Sequence, residues 1–366
     1  MPAGMSQTPP TLGPVNRDAV LRLFMERLWQ VLFDEGLSGL VSPQQIFNER
    51  LDHDAIRLQE FSFIDQAEKD LRDVIAGRKT ISESGHINDS MAPQAIRINP
   101  IIEDSTTALD AVERRLGADA LLKHVAREVR VKELMRSLHI RKIALHAEYY
   151  AIEMARNNPH ERITERLADQ DWLSRWREYA QDTYSETMQY LLAKVIVEEV
   201  RCPGTTSIHT LDFLRHLSGT DVQTIEIASQ FSFGDFIFRE ARGYFVPEIH
   251  KPVFELLESY SLITGVSRGD KWTTLGETSP DGQPILLRCH SRALLVTPAD
   301  PQGLHLPVYT LTRLGKEVMR FIHRDADVAY LWAIATELKS LGCTVQLGEC
   351  IDEPGQPSRF RQKVVV

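Results

Sequence analysis

The sequence predicts a mainly α fold: a helical middle domain followed by a small C-terminal winged-helix-like α+β domain. Three observations carry that expectation. From about residue 15 to residue 232, apolar residues recur at steps of three, four and seven, as one face of a helix requires. The last third changes to β-rich runs, Ile285 to Val296 and Leu306 to Thr310, separated by Pro298, Pro301 and Gly303. The 366 residues exceed what one small core needs, and a Ser-, Gly-, Asn- and Pro-bearing stretch at 79–104 divides them.

Residues 1–14, with Pro2, Pro9, Pro10 and Pro14, read as a disordered tail. An N-terminal helical segment, 15–78, begins with the stripe Val20, Phe24, Leu28, Val31 and Leu32 and stops at Gly36. Gly36 to Pro43 is a compact apolar turn leading into a second helical stretch, Gln44 to Arg78. The 79–104 linker keeps neither a helical nor a strand period.

The helical domain, 105–247, opens on a long helix whose stripe is Val131, Leu134, Leu138, Leu145, Tyr149 and Ile152. Trp172 and Trp176, four apart, are placed as core anchors, and Thr183 with Glu186 fits a capping box. Cys202-Pro-Gly204 ends the following helix. Ile208, Leu211, Leu214 and Leu217 make a short one, and Ser218 caps the next. The winged-helix-like domain, 248–351, holds helices at 255–262, 311–319 and 328–341 and a strand at 343–347; 352–366 reads as a loose tail.

A hydrophobic fraction of 43% and a charged fraction of 25% are ordinary for a soluble globular protein. The formal charge of −9 opposes wholesale coating of nucleic acid but leaves room for a local basic patch. Four cysteines without C-x-x-C spacing, and no basic-then-apolar leader, predict a cytoplasmic protein with free thiols. In the nearest candidate for a membrane span, 19–41, Arg22, Glu26, Arg27, Asp34 and Glu35 interrupt the apolar run. The chain lacks the phosphate-cradling, dinucleotide-binding and serine-nucleophile loops, so no cofactor is expected.

Three stretches together resemble a bacterial family catalogued only as a domain of unknown function. They are Gly36-Leu-x-Gly-Leu-x-x-Pro43; Asp171-Trp172 through Glu186-x-Met-Gln189, Glu198-Glu199, Pro203-Gly204, Ser207-x-x-Thr-Leu211 and Leu214-x-x-Leu-Ser218; and Tyr309-x-Leu-Thr-x-x-Gly315. Leu192 stands where that family suggests Trp, which assigns the position to packing. More distantly, the layout is similar to the abortive-infection alpha family of phage-resistance proteins, through the Gly/Pro turn, Glu186-x-x-Gln189-x-x-x-Ala193, the Pro-bearing break and the Leu-x-x-Leu-Ser helix. The resemblance implies a defence role and supplies no active site.

The candidate working surfaces are two. From Glu113 to Lys142 nine basic residues face four acids, and Lys123, Arg127, Arg130 and Arg141 share one helical face able to meet phosphate or an acidic partner. Trp29, Phe33, Leu37 and Leu40 form a candidate apolar contact, better suited to the protein's own core or a second copy than to a membrane surface, because the basic residues around them are answered by acids. Phe231, Phe233, Phe236, Phe238, Tyr244 and Phe245 read as core. The pairs His139/His146 and His209/His216 lack metal-ligand spacing, and Asp281 with Glu337 and Lys339 makes a poor nuclease centre. Residues 251–324 carry nine basic against seven acidic residues, too even a balance for reading DNA.

These observations favour a non-enzymatic interaction protein of antiphage or abortive-infection defence, with a protein partner or a second copy and no small-molecule substrate. The alternative is a nucleic-acid-binding regulator using the basic helix and the C-terminal domain.

Overall fold

A computed structural model describes residues 17–33, 54–82, 85–89, 108–157, 166–239, 241, 243–245, 247–269, 271–275, 284–298, 304–351 and 359–365. The chain is rich in helix, with a mixed α+β portion toward its C-terminus. It divides into two compact units, Met25–Ala151 with Leu173–Ala193, and Met1–Phe24 with Ile152–Trp172 and Lys194–Val366. The 1–14 tail, the Gly36–Pro43 turn and residues 90–104 of the expected linker lie outside the described residues.

The Met25–Ala151 unit is built on α1 (Arg17–Phe33), α2 (Asp54–Ile75) and the 50-residue α3 (Ala108–Asn157). Met25, Leu28, Trp29 and Leu32 are buried along α1. Its last carbonyls would otherwise be orphaned; the Arg177 guanidinium donates to those of Val31 and Leu32. On α2, Ile64, Leu71 and Val74 fall on one face and are buried. Leu71 and Val74 join Val131 and Met135 of α3 in a core cluster, with Ile81, Ile87 and Leu138 packed against it.

Ile81 and Ile87 belong to an antiparallel hairpin, β1 (Lys79–Ile81) and β2 (Ile87–Asp89), inside the stretch expected to be a linker. Three-residue strands carry a single alternation, too short to register as a period, and it is their contact with Leu71 and Val131 that holds them. Lys79 anchors the hairpin to α2 through Asp70 at 2.6 Å.

The same unit takes most of α4 (Gln170–Gln181) and the start of α5 (Glu186–Arg201). Trp176 is buried and donates its indole N–H to the Leu192 carbonyl at 3.1 Å, with Leu192 itself buried. Thr183 does not cap α5. Its hydroxyl donates to the Tyr179 carbonyl one turn back, and Gln189 donates to the Thr183 carbonyl.

The second unit holds the rest of α5, then α6 (Ile208–Arg215), α7 (Gly219–Ser229), α8 (Pro247–Ser259), α9 (Arg313–Phe321) and α10 (Val328–Ser340). Ser218 closes a capping box with Asp221 on α7, as its placement predicts, and Ser207 caps α6. A four-stranded sheet orders β3 (Phe236–Phe238), β8 (Leu304–Leu311) and β4 (Ile263–Thr264), its fourth strand, β5 (Trp272–Leu275), also pairing β8. A four-stranded antiparallel sheet orders β10 (Arg359–Val365), β9 (Thr344–Ile351), β7 (Arg292–Thr297) and β6 (Ile285–Cys289). The single run expected over 285–296 is therefore a hairpin, broken at His290-Ser291, and part of the expected loose tail is strand β10.

Gly315 shows why a Thr-x-x-Gly pattern opens α9. Thr312 caps the helix and its own N–H binds the Leu262 carbonyl, which draws the first turn onto that backbone. A Cβ at Gly315 would stand 2.0 Å from the Leu262 oxygen. The aromatic group packs around Tyr330, with Phe231 edge to face at 5.1 Å and Phe245 tilted at 5.4 Å, and the Phe238 N–H donates to the Tyr330 hydroxyl.

Candidate interaction surface

Helix α3 changes character along its length. Beyond residue 139 it is buried on most sides, with Ile143, Ala144, Leu145, Ala147 and Ala151 almost fully covered. Between 117 and 130 every described side chain except half-buried His124 is exposed. That stretch carries Lys123, Arg127 and Arg130, at successive steps of four and three, on one line of the helix. Arg141, eleven residues on, returns to the same line about 16 Å further along and is half-buried.

Among the described residues none of these four cations makes an ion pair, whereas two cations on other lines do: Arg136 meets Asp182 at 2.7 Å and Lys142 meets Asp65 at 2.8 Å. The Arg130 guanidinium lies close over the hairpin turn at Gly85. The opposite line of the exposed stretch is aliphatic, with Leu121, Leu122, Val125 and Val129 in solvent and Leu122 66% exposed. The helix half thus offers unpaired positive charge on one side and bare aliphatic surface on the other.

The candidate apolar contact is placed differently. Trp29 is buried within α1, the side chain of Phe33 is not among those described, and Leu37 and Leu40 lie outside the described residues.

The residues that carry the family resemblance serve the backbone. Glu199, buried at the C-terminal end of α5, accepts from the Gly204 N–H at 2.6 Å and the Thr206 N–H at 3.2 Å. Burial raises its pKa against those two hydrogen bonds. Glu317 of α9 reaches the next turn, accepting from the Ser207 N–H at 2.8 Å, the Thr210 hydroxyl at 2.6 Å and Arg313 at 2.9 Å. Burial works to raise its pKa too, but these donors outweigh it and hold the carboxyl at about 2. Arg320 closes the arrangement by donating to the Thr205 carbonyl. The two carboxylates fasten the 202–207 turn and the start of α6; their lone pairs face amides and hydroxyls, which is a structural use.

Glu317 went unnoticed in the sequence because its partners lie 107 and 110 residues away. Trp272, 58% exposed with Arg239 over its ring, was also missed, although the run Arg268-Gly-Asp-Lys-Trp272 set an aromatic beside cations. Asp281 lies outside the described residues, Glu337 is half-buried on α10, and among the described residues no three His, Cys, Asp or Glu side chains gather as metal ligands. No helix among the described residues is long and apolar enough to cross a membrane.

Comparison with curated proteins gives no match, and comparison with solved structures gives none. Residues 149–237, from the end of α3 to β3, match the family described as a protein of unknown function, DUF2806.

Proposed function

We propose that the chain is a non-enzymatic interaction protein whose working surface is the exposed half of α3, and that its partner is an acidic protein in bacterial antiphage or abortive-infection defence. The observation that supports this most is the line Lys123, Arg127 and Arg130, solvated and without ion-pair partners among the described residues, with Leu121, Leu122, Val125 and Val129 bare on the same helix. Desolvating a cation is favourable only where an opposite charge replaces its water, so unpaired cations mark a surface complementary to anions. Aliphatic residues contribute to protein contacts and little to nucleic acid, which favours a protein partner. The defence setting rests on the distant similarity of layout to abortive-infection alpha proteins, through the Gly/Pro turn, Glu186-x-x-Gln189-x-x-x-Ala193, the Pro-bearing break and the Leu-x-x-Leu-Ser helix.

The C-terminal α+β portion, read as winged-helix-like, fits a packing or protein-contact role better than DNA reading. Residues 251–324 carry nine basic against seven acidic residues, too even a balance for a groove-reading surface. The test is a phage panel on cells lacking the gene, complemented with the native chain or with Lys123→Glu/Arg127→Glu/Arg130→Glu. The native chain should reduce plaque counts and the charge-reversed chain should not; equal plaque counts in all three strains would reject the proposal.

The cation line also supports a second reading, a nucleic-acid-binding regulator. Gel shifts on duplex DNA at two salt concentrations, with the native chain beside the Lys123→Glu/Arg127→Glu/Arg130→Glu chain, separate the two: salt-sensitive binding that the charge reversal abolishes supports the nucleic-acid reading of α3.

A further inference from the structure

Around Trp272 the structure assembles a second surface, away in sequence from α3 and within the other unit. Strand β8 is its spine. At Pro307 it is flanked by Trp272 of β5 in register on one side, and by the Arg239 N–H donating to the Pro307 carbonyl at 3.0 Å on the other. This cross-section brings the Arg239 guanidinium to 6.0 Å from the centre of the indole. The guanidinium also lies over Gly269, where a Cβ would come within 2.9 Å of its Nη1, so the absence of a side chain there makes room for the arginine.

The loop that carries Arg268 is held rigid from beneath. Glu258 of α8 accepts from the N–H groups of Gly265, Val266 and Ser267 at 2.8–2.9 Å and from the Ser267 hydroxyl. Those four donors occupy the lone pairs of Glu258 and fix the loop on the end of α8. Arg268 and Lys271 are exposed and make no ion pair among the described residues. Asp270, between them, lies outside the described residues.

We infer that Trp272, Arg239, Arg268 and Lys271 form a contact site for single-stranded nucleic acid, a base stacking on the open indole and the flanking phosphates meeting Arg268 and Lys271. An exposed indole is costly to leave in water and is the strongest of the side-chain stacking platforms. Every base has a π face to offer it, and cations set beside the ring suit the phosphates that accompany a base. A duplex cannot use the site, because its bases are already stacked on one another.

The test titrates a short labelled homopolymer RNA with the purified full chain and reads fluorescence anisotropy. The native chain should bind, and Trp272→Ala should weaken binding by about tenfold or more, while Trp272→Phe retains most of it. Arg268→Glu/Lys271→Glu should flatten the dependence of affinity on salt. An unlabelled duplex or mononucleotide should compete poorly. Circular dichroism checks that the variants, all at exposed positions, remain folded. Absence of binding by the native chain at low salt, equal binding by Trp272→Ala, or equal competition by the duplex or the mononucleotide would each overturn the inference. Binding abolished by the α3 charge reversal but untouched by Trp272→Ala would also overturn it, and would support the nucleic-acid reading of α3 instead.

Discussion

Replacing Glu317 with glutamine should destabilise the unit that contains it, and the loss should fade in acid. The carboxylate binds the Ser207 N–H, the Thr210 hydroxyl and Arg313, and its pKa stands at about 2 against an ordinary value of 4.5. A folded-state pKa below the unfolded one means that the unfolded chain binds the proton first. The stabilisation is therefore fully present above about 4.5 and is lost as pH falls through about 2. A difference of about 2.5 pKa units corresponds to about 3 kcal/mol at neutral pH, an upper bound because Arg313 is largely exposed. Glutamine keeps one acceptor and loses the charge, so Glu317→Gln should cost about 2 kcal/mol at pH 7. By pH 3 the gap should shrink by roughly half or more. Urea unfolding of both chains across that range measures it. A gap below about 0.5 kcal/mol at pH 7, or one that stays constant into acid, would refute the assignment of Glu317 as an ionised clamp on the 202–207 turn.

Two further outcomes follow from the same packing. Gly315→Ala should lower stability by about 3 kcal/mol, because the new methyl meets the Leu262 carbonyl and backbone must move to admit it; an unchanged melting temperature would show that α9 can shift freely. His146 has a buried Nε2 with no hydrogen-bond partner and packs against Phe61 at 4.8 Å and Tyr190 at 5.7 Å. Burial, with Lys142 adding to it against Glu186, depresses its pKa. The unfolded chain thus takes up the proton first, and stability should drop as pH falls below about 6.5. His146→Phe should give a flatter stability profile between pH 7 and 5; parallel profiles would count against a neutral, buried imidazole.

Local chemistry was legible wherever it acted locally. Ser218 satisfies amides within its own next turn, so the hydroxyl's place before an apolar run sufficed to find α7, while the spacing of Ile208, Leu211 and Leu214 found α6. The spacing of Lys123, Arg127 and Arg130 likewise set them on one line of a helix. Thr183 misled because its hydroxyl had two local partners to choose from and took the Tyr179 carbonyl.

What only the tertiary structure decided has a common feature, long separation along the chain. Ile237 pairs with Tyr309, so β3 and β8 define one sheet across more than 70 residues, and Leu294 pairs with Leu347 in the other. The three-residue strands at 79–89 are too short to announce themselves and are held where Ile81 and Ile87 pack against Leu71 and Val131, while β10 is held by its pairing with β9. Exposure was decided in the same way: the described apolar residues of α3 before residue 131 are bare, and most of those beyond 139 are enclosed. The sequence by itself determined the periods, the caps and the charge line, since these depend on neighbours within a turn or two. Which faces meet, which carboxylate reaches which amide and which tryptophan stays in water depend on contacts between distant residues, and those are chosen by the free energy of the whole packed chain.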